Sequence, residues 1–226
     1  MTGVEILRQI LGELEGIPDP MVFTGGLVLP LYFERSPALR LRPTIDADAV
    51  VGCASYARWA DLQARLMQRG FVPVSDQEAP ICRMRTPQGH LLDVIPTEAS
   101  VLGFGNRWFR QGFDEAVSAS LGEGKAIRIF PAPLFVAAKT EAFRDRGKLD
   151  PWLSHDLEDV LTLIECRPSF LEEVRREDGE LLDYLAAFAT ELLALERIDE
   201  LIESHLRASA EPIRTVLERI SRKFAA

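Results

Sequence analysis

The sequence predicts an α+β half followed by an all-helical half. Residues 1–130 contain short apolar segments separated by proline and glycine turns, a pattern typical of strands alternating with helices. From Ser154 onward, the apolar residues keep helical spacing and helix breakers are few. The boundary between the two halves therefore falls between residues 125 and 152.

In the first half, helices and strands alternate along the chain. An apolar stripe at helical spacing predicts a helix over 4–15, and Ser55 and Gly70 suit the two ends of another helix. The segment 86–89 (TPQG) suits the turn of a hairpin. The predicted strands are 21–23, 44–51, 81–85, 90–95 and 126–130, and the predicted helices are 4–15, 27–33 and 55–69.

The second half is predicted to be helical throughout. A helix opened by Pro131 and Pro133 includes Lys139 and ends near Gly147. Few glycine or proline residues interrupt the apolar pattern that follows. The helices expected there are 155–166, 169–177, 180–206 and 211–224.

Composition favours a globular protein, and the charge is distributed unevenly. The 226 residues are 47% hydrophobic and 27% charged, which excludes global disorder. The formal net charge of −9 at first argues against a nucleic-acid partner. Residues 151–226, however, hold 17 acidic and nine basic side chains, whereas residues 1–150 hold 18 acidic and 17 basic ones. The acidity belongs to the last third of the chain, so it does not exclude such a substrate for the first half.

Cysteine usage and hydropathy indicate a cytoplasmic protein without a membrane partner. Cys53, Cys82 and Cys166 are far apart and form no Cys-x-x-Cys pair, so neither a zinc site nor a disulfide framework is predicted. No signal peptide is visible, and the longest apolar stretch, 21–33, is too short to span a bilayer. We therefore expect reduced thiols in the cytoplasm.

A glycine pair stands between a predicted strand and a predicted helix. Gly25 and Gly26 would let backbone N–H groups approach a phosphate. The alternative is a tight turn that needs only a positive φ angle. The sequence leaves both interpretations open.

Two carboxylates share one face of the strand 44–51. Asp46 and Asp48 are two positions apart, so both side chains project to the same side. Two ionised carboxylates so close together repel each other, and a hard cation such as Mg²⁺ removes that conflict. The alternative is a solvated strand face, although the neighbouring Ile45, Val50 and Val51 indicate that the strand is largely buried.

A third acid, Asp93, lies in the apolar strand 90–95. A lone carboxylate there is costly unless it is hydrogen-bonded, bound to a metal or paired with a nearby arginine. Two acids on one strand and a third on a neighbour can hold a pair of Mg²⁺ ions, which stabilise the attacking and leaving oxygens of a displacement at phosphorus. The pattern therefore indicates metal-dependent phosphoryl chemistry.

This combination resembles the nucleotidyltransferase superfamily that includes DNA polymerase beta, and within it the AbiEii/MenT-like group of bacterial toxin-type enzymes. The resemblance runs from about Phe23 to Glu165. The segments that carry it are TGGLVLPLYF, LRPTIDADAVV, APICRMR, LLDVIPT, LGFGNRWF and FVAAKTEAFRDRGKLDPWLSHDLEDV. It implies a catalytic domain over residues 1–130, with a mixed β-sheet flanked by helices, and a C-terminal helical bundle over residues 131–226.

The resemblance also implies roles for individual residues. Asp46, Asp48 and Asp93 would bind two Mg²⁺ ions and carry catalysis. The nucleotide-binding positions would be Thr24, Gly25, Gly26, Lys139 and Asp156, with Lys139 matching the lysine that contacts the triphosphate. From the residues alone, Lys139 could instead be a solvated helix charge, and Asp156 an acid stabilised by the dipole at a helix start.

The activity implied by the resemblance is transfer of an NMP from an NTP to an acceptor hydroxyl. RNA or a tRNA end is the implied acceptor, and an antitoxin protein is a candidate partner. One alternative is an antibiotic-modifying nucleotidyltransferase, whose acceptor is a small polyol. Another is a non-catalytic binding module built on the same fold.

Overall fold

The chain folds as two units. The computed structural model describes residues 2–37, 42–76, 79–145 and 150–224. The first unit comprises Met1–Leu31 and Pro43–Pro131, and the second comprises Tyr32–Arg42 and Ala132–Ala226. The division predicted from the sequence, into residues 1–130 and 131–226, stays a prediction.

Within the described residues, a seven-stranded mixed sheet forms the body of the first unit. Its strand order is β3-β4-β5-β2-β1-β7-β6. β2 runs parallel to β5 and β1 runs parallel to β7, and the remaining neighbours are antiparallel. The strands are β1 (Met21–Thr24), β2 (Asp46–Val51), β3 (Val72–Pro73), β4 (Arg83–Arg85), β5 (Leu91–Pro96), β6 (Val117–Gly122) and β7 (Lys125–Ile129).

Helices accompany the sheet in the first unit. They are α1 (Gly3–Glu13), α2 (Tyr56–Gln68) and α3 (Phe109–Asp114), with short 3₁₀ helices at Gly26–Tyr32 and Ala99–Val101. α1 begins with a reciprocal capping box between Thr2 and Glu5. The side chain of Ser55 caps α2 as predicted, and this helix buries Trp59, Leu62 and Leu66 along one stripe.

The second unit is helical, as predicted. Its α-helices are α4 (Ala132–Asp145), α5 (His155–Cys166), α6 (Phe170–Val174), α7 (Gly179–Leu193), α8 (Ile198–Leu206) and α9 (Glu211–Ser221), with a 3₁₀ helix at Pro151–Leu153. α4 packs against α5 and α7, and α7 also packs against α9. The expected helix end near Gly147 lies outside the described residues.

Two elements of the first half differ from the sequence prediction. The strand expected over 44–51 begins at Asp46, because its partner β5 begins at Leu91, directly opposite. The helix expected over 27–33 is the 3₁₀ helix Gly26–Tyr32. It contains Pro30, which has no N–H to donate and disfavours a regular α-helix.

The long helix predicted over 180–206 is in fact two helices. α7 ends at Leu193 and α8 begins at Ile198, although neither glycine nor proline stands between them. α7 packs mainly against α9 and α4, whereas α8 packs mainly against α5 and makes only a smaller contact with α9. Packing against different neighbours divides this segment, and a local pattern contains no signal for that.

The sequence pattern did not predict β3, α3 or β6. It predicted the strand 126–130, which corresponds to β7, but not the hairpin that β7 forms with β6. The hairpin turn consists of Glu123 and Gly124, both at positive φ, which is the geometry of a type I′ turn. Glu-Gly is not the usual Asn-Gly or Asp-Gly signal for this turn. β6 also consists largely of small or polar exposed residues, so it lacks a clear apolar alternation.

Two further expectations concern the cysteines and the possibility of a membrane-spanning helix. Cys53, Cys82 and Cys166 are buried free cysteines. Across residues 2–37, 42–76, 79–145 and 150–224, no helix is both long enough and apolar enough to cross a membrane.

We expect Gly112→Ala to destabilise the protein and Gly12→Ala to stabilise it. A Cβ on Gly112 in α3 would lie 2.6 Å from the buried ring of Phe130, so the ring must shift at a cost of about 1–3 kcal/mol. A Cβ on Gly12 in α1 would meet nothing within 4 Å, and replacing a helical glycine gains about 0.5–1 kcal/mol. Urea unfolding checks both variants, and equal midpoints would contradict this packing.

Candidate active site

The sheet of the first unit brings three aspartates to one place. In the parallel pairing of β2 with β5, Asp48 lies beside Asp93. On the other side of β2, Thr24 of β1 lies beside Asp48. Asp46 precedes Asp48 by two residues, so its side chain leaves the strand on the same side. The three carboxylates that the sequence assigns to metal binding therefore share one face of the sheet.

Gly25 lets the chain pass directly against Asp48. Its φ angle is +76°, and a Cβ at this position would lie 2.9 Å from Cγ of Asp48 and overlap the carboxylate. Positive φ and close approach both require glycine. The tight turn considered as an alternative is therefore present, and it lies at the acidic centre. Thr24 is buried at the end of β1, and Gly26 begins the 3₁₀ helix.

Arg83 is the residue of this site that sequence reasoning missed. Its Nε donates to Oδ1 of Asp93 at 2.7 Å, and its Nη2 donates to Oδ2 of Asp93 at 2.8 Å. The same Nη2 donates to Oδ2 of Asp46 at 2.7 Å. The sequence left open an arginine partner for Asp93, and the structure identifies it as Arg83. Its position opposite Asp93 in the β4–β5 hairpin was the available signal.

The acidic centre shifts the pKa values of its neighbours. Hydrogen bonds to Asp93, together with the negative charges of Asp93 and Asp46, raise the pKa of Arg83 above its usual value despite partial burial. Burial and the charges of Asp93 and Asp48 raise the pKa of the Cys82 thiol to about 12. Cys82 is therefore a neutral thiol at physiological pH.

The residue types at this centre suit Mg²⁺, but their present arrangement is an arginine-bridged one. Three carboxylates are the hard oxygen donors that Mg²⁺ prefers, and Gly25 passes against the Asp48 carboxylate without a side chain that would displace it. Within the described residues, no three His, Cys, Asp or Glu side chains are arranged to hold an ion. The donor set therefore fits a metal chemically, while the guanidinium of Arg83 now lies between two of the three donors.

The other two predicted nucleotide contacts belong to the second unit. Nζ of Lys139 on α4 lies 3.1 Å from Oδ1 of Asp156 and 2.7 Å from Oδ2 of Asp159, both on α5. The Lys139 side chain is 14% exposed and the two acids are 7% exposed. Lys139 is therefore not a solvated helix charge but one cation shared by two buried carboxylates. Asp159 is a member of this cluster that sequence reasoning did not select.

Two solved structures share the fold of this chain. An antigenic nucleotidyltransferase-like protein from Paracoccidioides brasiliensis matches it with a TM-score of 0.53 and 16% sequence identity, covering 92% of this chain and 93% of its own. The antibiotic-resistance factor ANT(2'')-Ia matches with a TM-score of 0.51 and 18% identity, covering 85% and 94%. No family model and no curated protein matches the sequence. The chain thus has a nucleotidyltransferase-like fold, as the sequence resemblance implied.

We expect Gly25→Ala to be far more damaging than Gly89→Ala. Both glycines have positive φ, so alanine costs about 1–2 kcal/mol of backbone strain at either position. Only at Gly25 does the new Cβ also overlap the Asp48 carboxylate, whereas at Gly89 it meets nothing within 4 Å. Chemical denaturation measures the difference. Equal losses of stability in the two variants would show that Asp48 does not lie against this turn.

We expect Lys139→Met to destabilise the protein by about 3–5 kcal/mol, because it leaves two buried carboxylates without their shared cation. Lys223→Met is the control, since the ion pair of Lys223 with Asp183 is more than half exposed and contributes about 0–1 kcal/mol. Urea unfolding measures both. A Lys139→Met protein of unchanged stability would contradict the structural role of this ion pair and favour the triphosphate contact.

Proposed function

We propose that this chain is a metal-dependent nucleotidyltransferase that moves an NMP from an NTP to an acceptor hydroxyl. The observation that carries the proposal is the group of Asp46, Asp48 and Asp93, set in register on one face of the sheet. The fold shared with an antigenic nucleotidyltransferase-like protein and with an antibiotic-resistance factor supports it. The turn at Gly25 supports it as well, because glycine turns commonly bring backbone N–H groups to a phosphate.

In the proposed reaction, the acceptor oxygen forms a bond to the α-phosphorus of the NTP. The bond between the α-phosphorus and the oxygen that bridges it to the β-phosphorus breaks, and pyrophosphate leaves. Mg²⁺, when bound, stabilises charge on the attacking and leaving oxygens. Asp46, Asp48 and Asp93 would hold the metal, and Asp93 would also help to take the proton of the acceptor hydroxyl. The turn formed by residues 24–26 would orient the phosphates.

The nucleotide contacts of Lys139 and Asp156 remain predictions. Each has an ion-pair partner within the second unit, so neither needs a nucleotide to compensate its charge. Lys139 could contact a triphosphate only by exchanging part of its interaction with Asp156 and Asp159 for one with phosphate.

For the acceptor, we propose RNA, in particular a tRNA end, on the strength of the resemblance to toxin-type nucleotidyltransferases. The antitoxin partner and the cytoplasmic location belong to this same proposal. A second candidate is a hydroxyl-bearing antibiotic, which is favoured by the fold similarity to an antibiotic-resistance factor. A non-catalytic binding module is the third outcome that the experiment must separate.

We expect Asp46→Asn and Asp48→Asn each to lower nucleotide transfer at least 100-fold. Loss of a residue that only supports a metal ligand costs about 10–100-fold, so loss of a ligand should cost more. The assay incubates the protein with α-labelled NTPs and Mg²⁺, in separate reactions with total tRNA and with a panel of hydroxyl-bearing antibiotics. Asp114→Asn is the matched control, because Asp114 is exposed and forms a local ion pair with Arg110 on α3.

The outcomes separate the candidate functions. Label on tRNA supports the RNA acceptor, and growth arrest on expression would accompany it. Label on a drug, together with resistance on expression, supports the antibiotic-modifying candidate. Transfer to neither pool, with no Mg²⁺-dependent NTP binding by calorimetry, would leave the non-catalytic module.

A further inference from the structure

The acidic centre of the first unit already contains a cation. The guanidinium of Arg83 is bonded to Asp46 and Asp93, two of the three expected metal ligands. We propose that Arg83 is a built-in competitor of the divalent cation: it holds the metal-free centre together and has to release carboxylate oxygens before a cation binds. It is therefore a positioning residue that sets the metal affinity. The inference rests on the proposed function for the use of a metal, but its test measures metal binding rather than transfer.

The sheet places Arg83 for this role. Arg83 lies directly opposite Asp93 in the antiparallel pairing of β4 with β5. Its Nε and Nη2 each donate to a different oxygen of that carboxylate, so both oxygens of Asp93 are engaged by the same guanidinium. A fork of this kind is among the strongest ion-pair geometries in proteins. A metal bound at Asp93 would therefore either share an oxygen with this guanidinium or replace one of these two bonds.

The contact with Asp46 is the weaker part of the bridge. It consists of one hydrogen bond, from Nη2 to Oδ2, rather than two. The Asp46 side chain is 33% exposed, whereas that of Asp93 is 8% exposed. Water competes more effectively for an exposed carboxylate, so breaking the contact with Asp46 costs less. We therefore expect the hydrogen bond between Arg83 and Asp46 to break before the two hydrogen bonds between Arg83 and Asp93.

Metal and guanidinium cannot share these carboxylates without conflict. The guanidinium does not lose its proton in proteins, so Arg83 keeps its positive charge. A divalent cation at Asp46 and Asp93 would meet that charge within hydrogen-bond range of its own ligands, where like charges repel strongly. Binding of one cation therefore weakens binding of the other. The same conflict applies to proton acceptance by Asp93, because both of its oxygens now accept hydrogen bonds from Arg83.

Removing the arginine charge should have opposite effects on metal affinity and on metal-free stability. We expect Arg83→Gln to bind Mn²⁺ and Mg²⁺ with a Kd at least about fivefold lower than the original protein, within the usual 5- to 150-fold range of coupling between ligands. The metal-free variant should unfold at lower denaturant, because Asp46 and Asp93 lose the guanidinium that joins them. Saturating Mg²⁺ should recover much of that loss, because ligands that bind only the folded state stabilise it. Calorimetry and unfolding with and without metal measure both effects.

Two further variants separate this role from a merely structural one. Arg85→Gln is the control, since Arg85 lies two residues along β4, is exposed, and contacts the carbonyl of Gly89 rather than a carboxylate. Arg83→Lys keeps the charge but loses the fork, so its metal affinity should fall between those of the original protein and Arg83→Gln. A purely structural arginine would give weaker metal binding in both Arg83 variants. Unchanged or weaker binding by folded Arg83→Gln overturns the inference.

The original protein provides a test that does not depend on the folding of a variant. In a ¹⁵N NMR titration with Mg²⁺, the Nε–H signal of Arg83 should shift in proportion to metal occupancy. The signal of Arg65, which forms a forked pair with Asp19, is the internal reference and should stay in place. An Arg83 signal that does not move at saturating Mg²⁺ contradicts the displacement.

Failure of this inference can be told apart from failure of the proposed function. If neither the original protein nor Arg83→Gln binds a divalent cation, both the metal-dependent function and the competition are wrong. If Arg83→Gln gains affinity but no acceptor is labelled, the competition holds and nucleotide transfer does not. If the original protein transfers nucleotides but Arg83→Gln gains no affinity, only the competition is wrong.

Discussion

The in-register parallel pairing of β2 with β5 is the constraint on which the acidic centre depends. It fixes Asp48 beside Asp93, and the two-residue period of a strand adds Asp46 to the same face. Carboxylates held together in this way need compensation within the fold, because burial of an unpaired charge is costly. Arg83 supplies the opposite charge from β4. The close passage of Gly25 follows from the position of Asp48, and the charges of Asp93 and Asp48 add to the effect of burial in raising the pKa of the Cys82 thiol.

The second unit also places two carboxylates close together, but their charge is compensated by an ammonium group instead of a guanidinium. There the acids Asp156 and Asp159 are three residues apart on α5, so they lie on one helix face and share the ammonium group of Lys139. An ammonium is a compact point charge, whereas a guanidinium is a rigid fork that fits both oxygens of one carboxylate. A sequence motif that selects Lys139 and Asp156 therefore selects an ion pair, whether or not a nucleotide also contacts it. Only a measurement that separates stability from nucleotide binding distinguishes these two roles.

The sequence predicted the parts of this architecture that depend on local patterns. The two-residue spacing of Asp46 and Asp48, the capped helix α2 and the hairpin of β4 and β5 all follow from periodicity and turn residues. The role of Arg83 depends on cross-strand register, and a shift of one residue would have turned its side chain to the other face. The break between α7 and α8 depends on which helices pack together, and the weakly patterned β6 depends on its partner β7. Neither has a strong local signal.

The charge of the acidic centre also bears on how a nucleotide could bind. An NTP is itself a polyanion, and a sheet face that carries Asp46, Asp48 and Asp93 would repel it. Under the proposed function, replacing the guanidinium of Arg83 by divalent charge makes the centre far less negative. It also frees Arg83, whose planar fork is suited to phosphate oxygens. By reciprocity, metal and NTP would then strengthen each other's binding, with the arginine exchanging carboxylate for phosphate partners. The net charge of −9 is therefore compatible with a polyanionic substrate, because the charges that matter are the few at this sheet face.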